Sequence, residues 1–322
     1  MKIDVVIPWV GGNDPVLNEK RSRYTDAAIV SHVDEASPTR FANLGEIFWC
    51  VASLNRNASF INKIYIVSDG QDPHLEPFLQ KYFPGGHIPV EVVDHRTIFR
   101  GYEEYLPVFN SVSIETMLWR IPGLSEHYLL MNDDFIIAKP VTEADFYTAD
   151  GKVICYGDWF SLPWGKLLRF LKPRPGGHQV ATFKNMLINA ADIVGGTRRF
   201  HYLRHTPRPL LRSFYEDYFG KHPELIVRNV SHRFRHINQF SEQELLYLTL
   251  EKEGRCQQTP TASCAFYLMP KHEGDYVARK LDAFRKGDFK FCCLNSLDMA
   301  SDQDRKLIVD WAEELLGVSL SE

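Results

Sequence analysis

Four short apolar runs in the first 134 residues each end in a polar or charged cluster. Residues 2–10 (KIDVVIPWV) are rich in β-branched side chains and stop at Gly11-Gly12-Asn13-Asp14-Pro15, a strand followed by a strong turn. Residues 61–68 (INKIYIVS) stop at Asp69-Gly70-Gln71, residues 90–93 at Asp94-His95, and residues 127–134 (HYLLMNDD) end in the paired acids Asp133 and Asp134. Between them lies helical spacing. Over 40–57, Leu44, Ile47, Phe48, Val51, Ala52 and Leu54 can share one face, and shorter helices are predicted near 75–83 and 111–119. Strands alternating with helices on short links predict an α/β fold with a mostly parallel sheet. In such a sheet the carboxyl ends of the strands share one edge, where ligands bind. Trp9 with Asp14, Asp69, Asp94 with His95, and Asp133 with Asp134 therefore converge.

The middle, from about 141 to 177, is less regular. Residues 159–174 interleave Trp159, Phe160, Trp164, Leu167 and Phe170 with Lys166, Arg169, Lys172 and Arg174. That pattern suits either a surface loop or helix packed on the body through its apolar side chains, or a contact with an anionic membrane surface or anionic polymer. Helices are expected at 183–194, 209–219, up to 250, at 277–284 and at 302–316, with a short strand at 290–294. The expected organisation is a nucleotide-sugar-binding α/β part at 1–150, an aromatic and basic insertion at 151–180, and a mainly helical part at 181–322. The last packs on the first as one catalytic unit.

Composition narrows the class. At 322 residues, with 44% hydrophobic and 24% charged residues, the chain reads as globular. A net charge of −4 gives no global positive field, which argues against nucleic acid as a partner. No run of about 18 apolar residues is present and no signal peptide opens the chain, so a cytoplasmic protein is expected. The six cysteines lack zinc or disulfide-scaffold spacing and read as buried thiols of a reducing compartment.

Asp133 and Asp134 are the metal candidates, since hard carboxylate oxygens suit Mg²⁺ or Mn²⁺ with donor phosphates completing the shell. An ordinary Asn/Asp turn is the alternative. Arg204, Arg208, Arg233 and Arg235 fall in two clusters with His201, His205, His232 and His236, cations suited to a diphosphate. A histidine beside arginines has its pKa lowered, which favours the neutral form a general base needs. Solvated cationic loops are the alternative. No HExxH helix and no G-x-S-x-G elbow occurs.

Four blocks resemble the Stealth proteins, which include bacterial capsular polysaccharide phosphotransferases and the lysosomal-enzyme N-acetylglucosamine-1-phosphotransferase. They are IDVVIPWVGGNDP at 3–15; RFANLGEIFWCVASLNRNASFINKIYIVSDGQ at 40–71 continuing through LPVFNSVSIETMLWRIPGLSEHYLLMNDDFII; FKNMLINA, RHTPRP and RFRHINQFS; and KFCCLNSLD at 290–298. Gly12 and Ser296 depart from the family pattern. The resemblance implies a Rossmann-like domain like the GT-A nucleotide-sugar domains. It also implies transfer of a sugar 1-phosphate, of a hexose or N-acetylhexosamine, from a nucleotide sugar (a UDP-sugar first) to a hydroxyl of a growing capsular polysaccharide. Nucleoside monophosphate is released.

Family positions fall on Asp133 and Asp134, on His205 as base, on Arg235 as the cation for the transferring phosphoryl, and on Asn110, Asn185 and Asn189 as donor- or acceptor-positioning groups. Trp9, Asp14, Asp69 and Arg233 complete the expected donor site, and capsule assembly implies the inner face of the membrane. A phosphohistidine intermediate is the mechanistic alternative. The rival functions are a metal-dependent glycosyltransferase releasing nucleoside diphosphate and a non-catalytic glycan-binding protein.

Overall fold

The computed structural model describes residues 1–12, 14–24, 44–171, 181–270 and 274–320. The beginning of the helix expected at 40–57, and Lys172 and Arg174 of the basic stretch, lie outside them.

The apolar runs form the strands β1 (Ile3–Pro8), β2 (Ile61–Ser68), β3 (Val90–Asp94) and β4 (His127–Leu130). Residues 3–7 of β1 are wholly buried, as expected for a central strand with both faces covered. Asp4 is among them, and its carboxylate accepts from Asn62 Nδ2 and the Ser125 backbone N–H at 2.7 Å each, which offsets the cost of burying it. β1 pairs in parallel with β2 and with β4, and β2 pairs in parallel with β3. The carboxyl ends of the four predicted strands thus do meet along one edge.

β4 is shorter than the expected 127–134 run. Pairing stops at Leu130, the backbone turns as Phe135 N–H reaches the Asn132 carbonyl (3.1 Å), and β5 (Phe135–Ile137) begins immediately. Asp133 and Asp134 therefore sit in the turn between two strands of different sheets.

Downstream come β6 (Val153–Ser161), β7 (Arg199–Leu203), β8 (Arg208–Leu211), β9 (Cys256–Thr259), β10 (Ala265–Leu268) and β11 (Phe291–Leu294). β8 extends the first sheet antiparallel to β4, giving the order β3-β2-β1-β4-β8. This corrects the helix expected at 209–219. Leu210 and Leu211 complete the sheet, and the helix is Arg212–Lys221. A second sheet has the order β10-β11-β5 and a third β7-β6-β9. The nine-residue β6 replaces the irregular stretch expected there, and the helix Leu162–Leu171 is one of the forms the 159–174 pattern allowed.

The helix Glu46–Asn57 serves two cores at once. Ile47, Cys50, Val51 and Leu54 pack into the large core of the first sheet, whereas Trp49 and Ala52 join the smaller core under β10, β11 and the helix Asp302–Leu316. That last helix has the caps its sequence predicts. Ser301 Oγ accepts from Asp304 N–H (3.1 Å), and Gly317 terminates it at φ 57°. All six cysteines are free thiols, five of them buried.

Candidate functional site at the junction of three sheets

The Asn132–Asp134 turn joins β4 of the first sheet to β5 of the second, and residues 204–207 join β7 of the third sheet to β8 of the first. Because β8 runs antiparallel to β4, its first residue, Arg208, pairs with Leu130, the last residue of β4. Acids, histidine and arginine are brought to one edge by that register.

Asp134 is held on one side only. Its Oδ2 accepts from the Cys293 thiol (3.2 Å) and from Asn295 Nδ2 (3.3 Å), and its carbonyl accepts from Leu294 N–H (3.0 Å). Its Oδ1 is enclosed and has no partner. Burial raises the Asp134 carboxyl, while the Cys293 and Asn295 bonds and the Arg208 charge pull it back. Asp133 is pushed well above the usual carboxylate range by burial, then by the charges of Asp134 and Glu46. Glu46, 9% exposed at the start of its helix, is raised by burial with Asp134 and Asp298 nearby. Negative charge is thus concentrated where no protein cation is hydrogen-bonded to Oδ1.

That is a fit for a hard divalent cation: two adjacent carboxylates, one with an enclosed oxygen left open. Among the described residues no group of three or more His, Cys, Asp or Glu is placed to hold a metal. The protein share would be Asp133 and Asp134, the remaining positions falling to phosphate oxygens and water, as is usual for Mg²⁺.

His205 lies beside this turn. Its ring stands edge-on to Phe135 (centroids 6.1 Å apart) and leans on the Tyr267 ring (4.8 Å). The Tyr267 hydroxyl donates to Asn295 Oδ1 (3.1 Å), so a single chain of contacts runs from His205 to Asp134. Burial and then the charges of Arg208 and Arg204 lower the His205 pKa to about 4, leaving the ring neutral at neutral pH. Arg204 is exposed and paired with Asp158 (3.1 Å), whereas Arg208 is 8% exposed with its Nε enclosed and unpartnered.

The other predicted residues divide between the two ends of the edge. Trp9 covers Gly11, where an added Cβ would come within 3.3 Å of the indole, and the indole N–H is enclosed without a partner. Asp14 caps the helix Pro15–Ser22 through Val16 N–H (2.8 Å) and accepts from Gln71 Nε2 (2.8 Å), bonds that lower its pKa. Gln71 also clasps both Gly11 N–H and Gly11 O. Asp69 is ion-paired with Lys20. Next to it His95 is buried with both ring nitrogens unpartnered and is pushed down to about 4 by burial, against the opposing pull of Asp69 and Asp94.

Arg235 donates to Ser111 Oγ (3.2 Å), and the Arg233 guanidinium stacks over Tyr24 (4.7 Å). Asn110 donates to His232 O, Gln239 Oε1 and Ser113 Oγ, and Asn189 to Ile237 O and Gln239 O while accepting from Arg169. These two amides are committed to holding the 232–239 loop, which carries both arginines. Asn185 occupies the first turn of the helix Phe183–Val194, capped by Thr182.

Glu46, Cys293, Asn295 and Tyr267 were not singled out from the sequence. The one available signal was a charged or polar residue inside an otherwise apolar run, as in LGEIFW and FCCLN.

Residues 40–154 match conserved region 2 of the Stealth proteins and residues 1–27 match conserved region 1. An exopolysaccharide phosphotransferase of Streptomyces coelicolor is 32% identical over 76% of this chain and 39% of its own length. The capsular polysaccharide phosphotransferase WcwK of Streptococcus pneumoniae is 27% identical over 94% of this chain and 93% of its own. Several of the curated relatives are much longer: the chain spans 39% and 51% of two Streptomyces coelicolor proteins it matches. Among solved structures, the apo bifunctional glycosyltransferase WbbM superposes with a TM-score of 0.50 at 11% identity, over 99% of this chain and 52% of that one. The architecture is that of the GT-A glycosyltransferases, and, with both conserved regions present in order, the chain belongs to the Stealth protein family.

Proposed function

We propose that this protein transfers a sugar 1-phosphate from a nucleotide sugar to a hydroxyl of a capsular or exopolysaccharide acceptor. The observation that carries the proposal is the combination at one sheet edge of an open acidic pair, a histidine held neutral and a buried arginine. The first element suits a diphosphate with its counter-cation, the second an acceptor hydroxyl, and the third a phosphoryl group. The relatives' names point the same way.

In the reaction, the acceptor oxygen attacks the sugar-bearing phosphorus and the bond from that phosphorus to the oxygen bridging it to the nucleoside phosphate breaks. The products are a phosphodiester and a nucleoside monophosphate. His205 Nε2, the ring nitrogen that is not enclosed, takes the hydroxyl proton. Asp133 and Asp134 hold Mg²⁺ or Mn²⁺, which when bound makes the nucleoside monophosphate a better leaving group. Trp9, Gln71, Asp69 and His95 line the nucleoside end of the edge. Arg235 and Arg233 approach from the 232–239 loop, with Asn110, Asn189 and Asn185 fixing that flank.

The donor to try first is a UDP-sugar, and the helix Leu162–Leu171 is the element we assign to the membrane surface on which capsule is assembled. Among the described residues no helix is long and apolar enough to cross a membrane. The glycosyltransferase fold keeps a second reading open, cleavage of the sugar–oxygen bond with release of a nucleoside diphosphate. Identifying the nucleotide released from UDP-N-acetylglucosamine separates the two, and release of neither supports glycan binding alone.

A further inference from the structure

We infer that Arg208 is the anion-gripping residue of this site and that it takes the distal, sugar-bearing phosphate of the donor. The inference rests on the nucleotide-sugar reading above and deepens it. A guanidinium has five donors and no way to shed its charge, so in a folded chain it is normally paired or solvated. Arg208 is neither. It is 8% exposed, its Nε is enclosed with no partner, and the Phe183 ring lies 5.3 Å from its carbon centre. Its charge reaches Asp134, His205 and Glu242 through space without a hydrogen bond to any of them. Arg204, four residues earlier, already has Asp158.

Position supplies the second half of the argument. In the order β3-β2-β1-β4-β8, Trp9 and Asp69 end β1 and β2, the acids end β4, and Arg208 begins β8. Strands lie about 4.8 Å apart, so β2 to β8 spans about 14 Å of edge. A nucleoside at β1 and β2 puts its first phosphate near the acids and its second next to β8. His205 sits over that same end, against Phe135 and Tyr267, where an acceptor hydroxyl must approach the second phosphorus. A planar fork suits two oxygens of one phosphoryl group.

The test is binding of nucleoside mono- and diphosphates (uridine, guanosine, cytidine and adenosine series) in the presence of Mg²⁺, by calorimetry, to the full chain and to Arg208→Gln and Arg208→Lys. The expected result is a diphosphate affinity at least about 10-fold weaker in Arg208→Gln, smaller losses in Arg208→Lys, and monophosphate affinity within about 2-fold of wild type in both. If Arg208→Gln fails to fold, Arg208→Lys, which keeps the buried charge, decides. Equal losses for mono- and diphosphates show a structural arginine and overturn the inference, as does an unchanged diphosphate affinity. A wild-type chain that binds no diphosphate overturns it together with the nucleotide-sugar reading. A wild-type chain that binds them but releases nucleoside diphosphate from the sugar donor overturns phosphotransfer alone.

Discussion

The Cys293 thiol donates to Asp134 Oδ2 across 3.2 Å, from a β11 strand that is wholly buried. Burial and the neighbouring acid push the thiol well above its ordinary pKa, so it stays an S–H donor rather than a thiolate facing a carboxylate. With Asn295 on the same oxygen, the bond leaves Oδ1 as the unpartnered oxygen, the one offered to the proposed cation. Cys293→Ser keeps a donor and is expected to turn over within about 3-fold of wild type, whereas Cys293→Ala is expected to lose about 10-fold and to need more Mg²⁺ for half-maximal rate. Steady-state rates over a Mg²⁺ series check this, and an Ala variant that matches Ser would remove the role.

Asp133 should trade stability for function. A carboxyl whose folded pKa is raised binds its proton more tightly folded than unfolded, so its ionised form at neutral pH weakens the fold. Without added metal, Asp133→Asn is expected to raise the Tm at pH 7.5 by about 1–3 °C, a gain that disappears below about pH 4 where the carboxyl is protonated in both states. Turnover is expected to fall by about 10²-fold. Paired melting curves and rates test both halves, and a lowered Tm would contradict the charge crowding at the turn.

The histidines work in the opposite direction. His205, His95 and His232 are each held at about 4, below the ordinary value, so the unfolded chain binds their protons first. Stability is therefore expected to drain away as the pH falls from about 6.5 towards 4, and to be full above that window. His205→Ala should flatten that decline by one proton and cost at least about 10²-fold in turnover near neutral pH. Near-wild-type turnover in the variant would sink the base assignment.

The helix Leu162–Leu171 exposes Trp164, Leu167, Phe170 and Leu171 at 53%, 43%, 72% and 62%. Such a face beside Lys166 and the exposed Arg198 and Arg199 suits an anionic bilayer surface. Co-sedimentation with vesicles containing anionic lipid is expected for wild type and to drop at least about 5-fold for Trp164→Ser/Phe170→Ser, with zwitterionic vesicles inert. Equal binding by the double variant would dismiss the contact.

What the sequence disclosed followed from local chemistry. The β-branched runs with Gly/Asp stops located β1 to β4, and Ser301 with Gly317 framed the last helix. Leu210-Leu211 read as helix because nothing local says that β4 needs an antiparallel neighbour; tertiary pairing overrode the pattern. For the same reason Arg208 was one cation among four until register set it opposite Leu130. Asp133, Asp134 and His205 stood out as charged punctuation. Cys293 and Asn295, which hold Asp134, lie 159 and 161 residues away from it in sequence, and only the fold of the β10-β11-β5 sheet brings them and Tyr267 to the site.

The most direct measurement is the identity of the nucleotide released. Wild-type chain is incubated with UDP-N-acetylglucosamine, Mg²⁺ and a capsule-type oligosaccharide, and the products are resolved by ion-exchange chromatography and mass spectrometry. Sugar-1-phosphate transfer gives UMP and an acceptor heavier by a sugar phosphate. Release of UDP with an acceptor heavier by the sugar alone would contradict it.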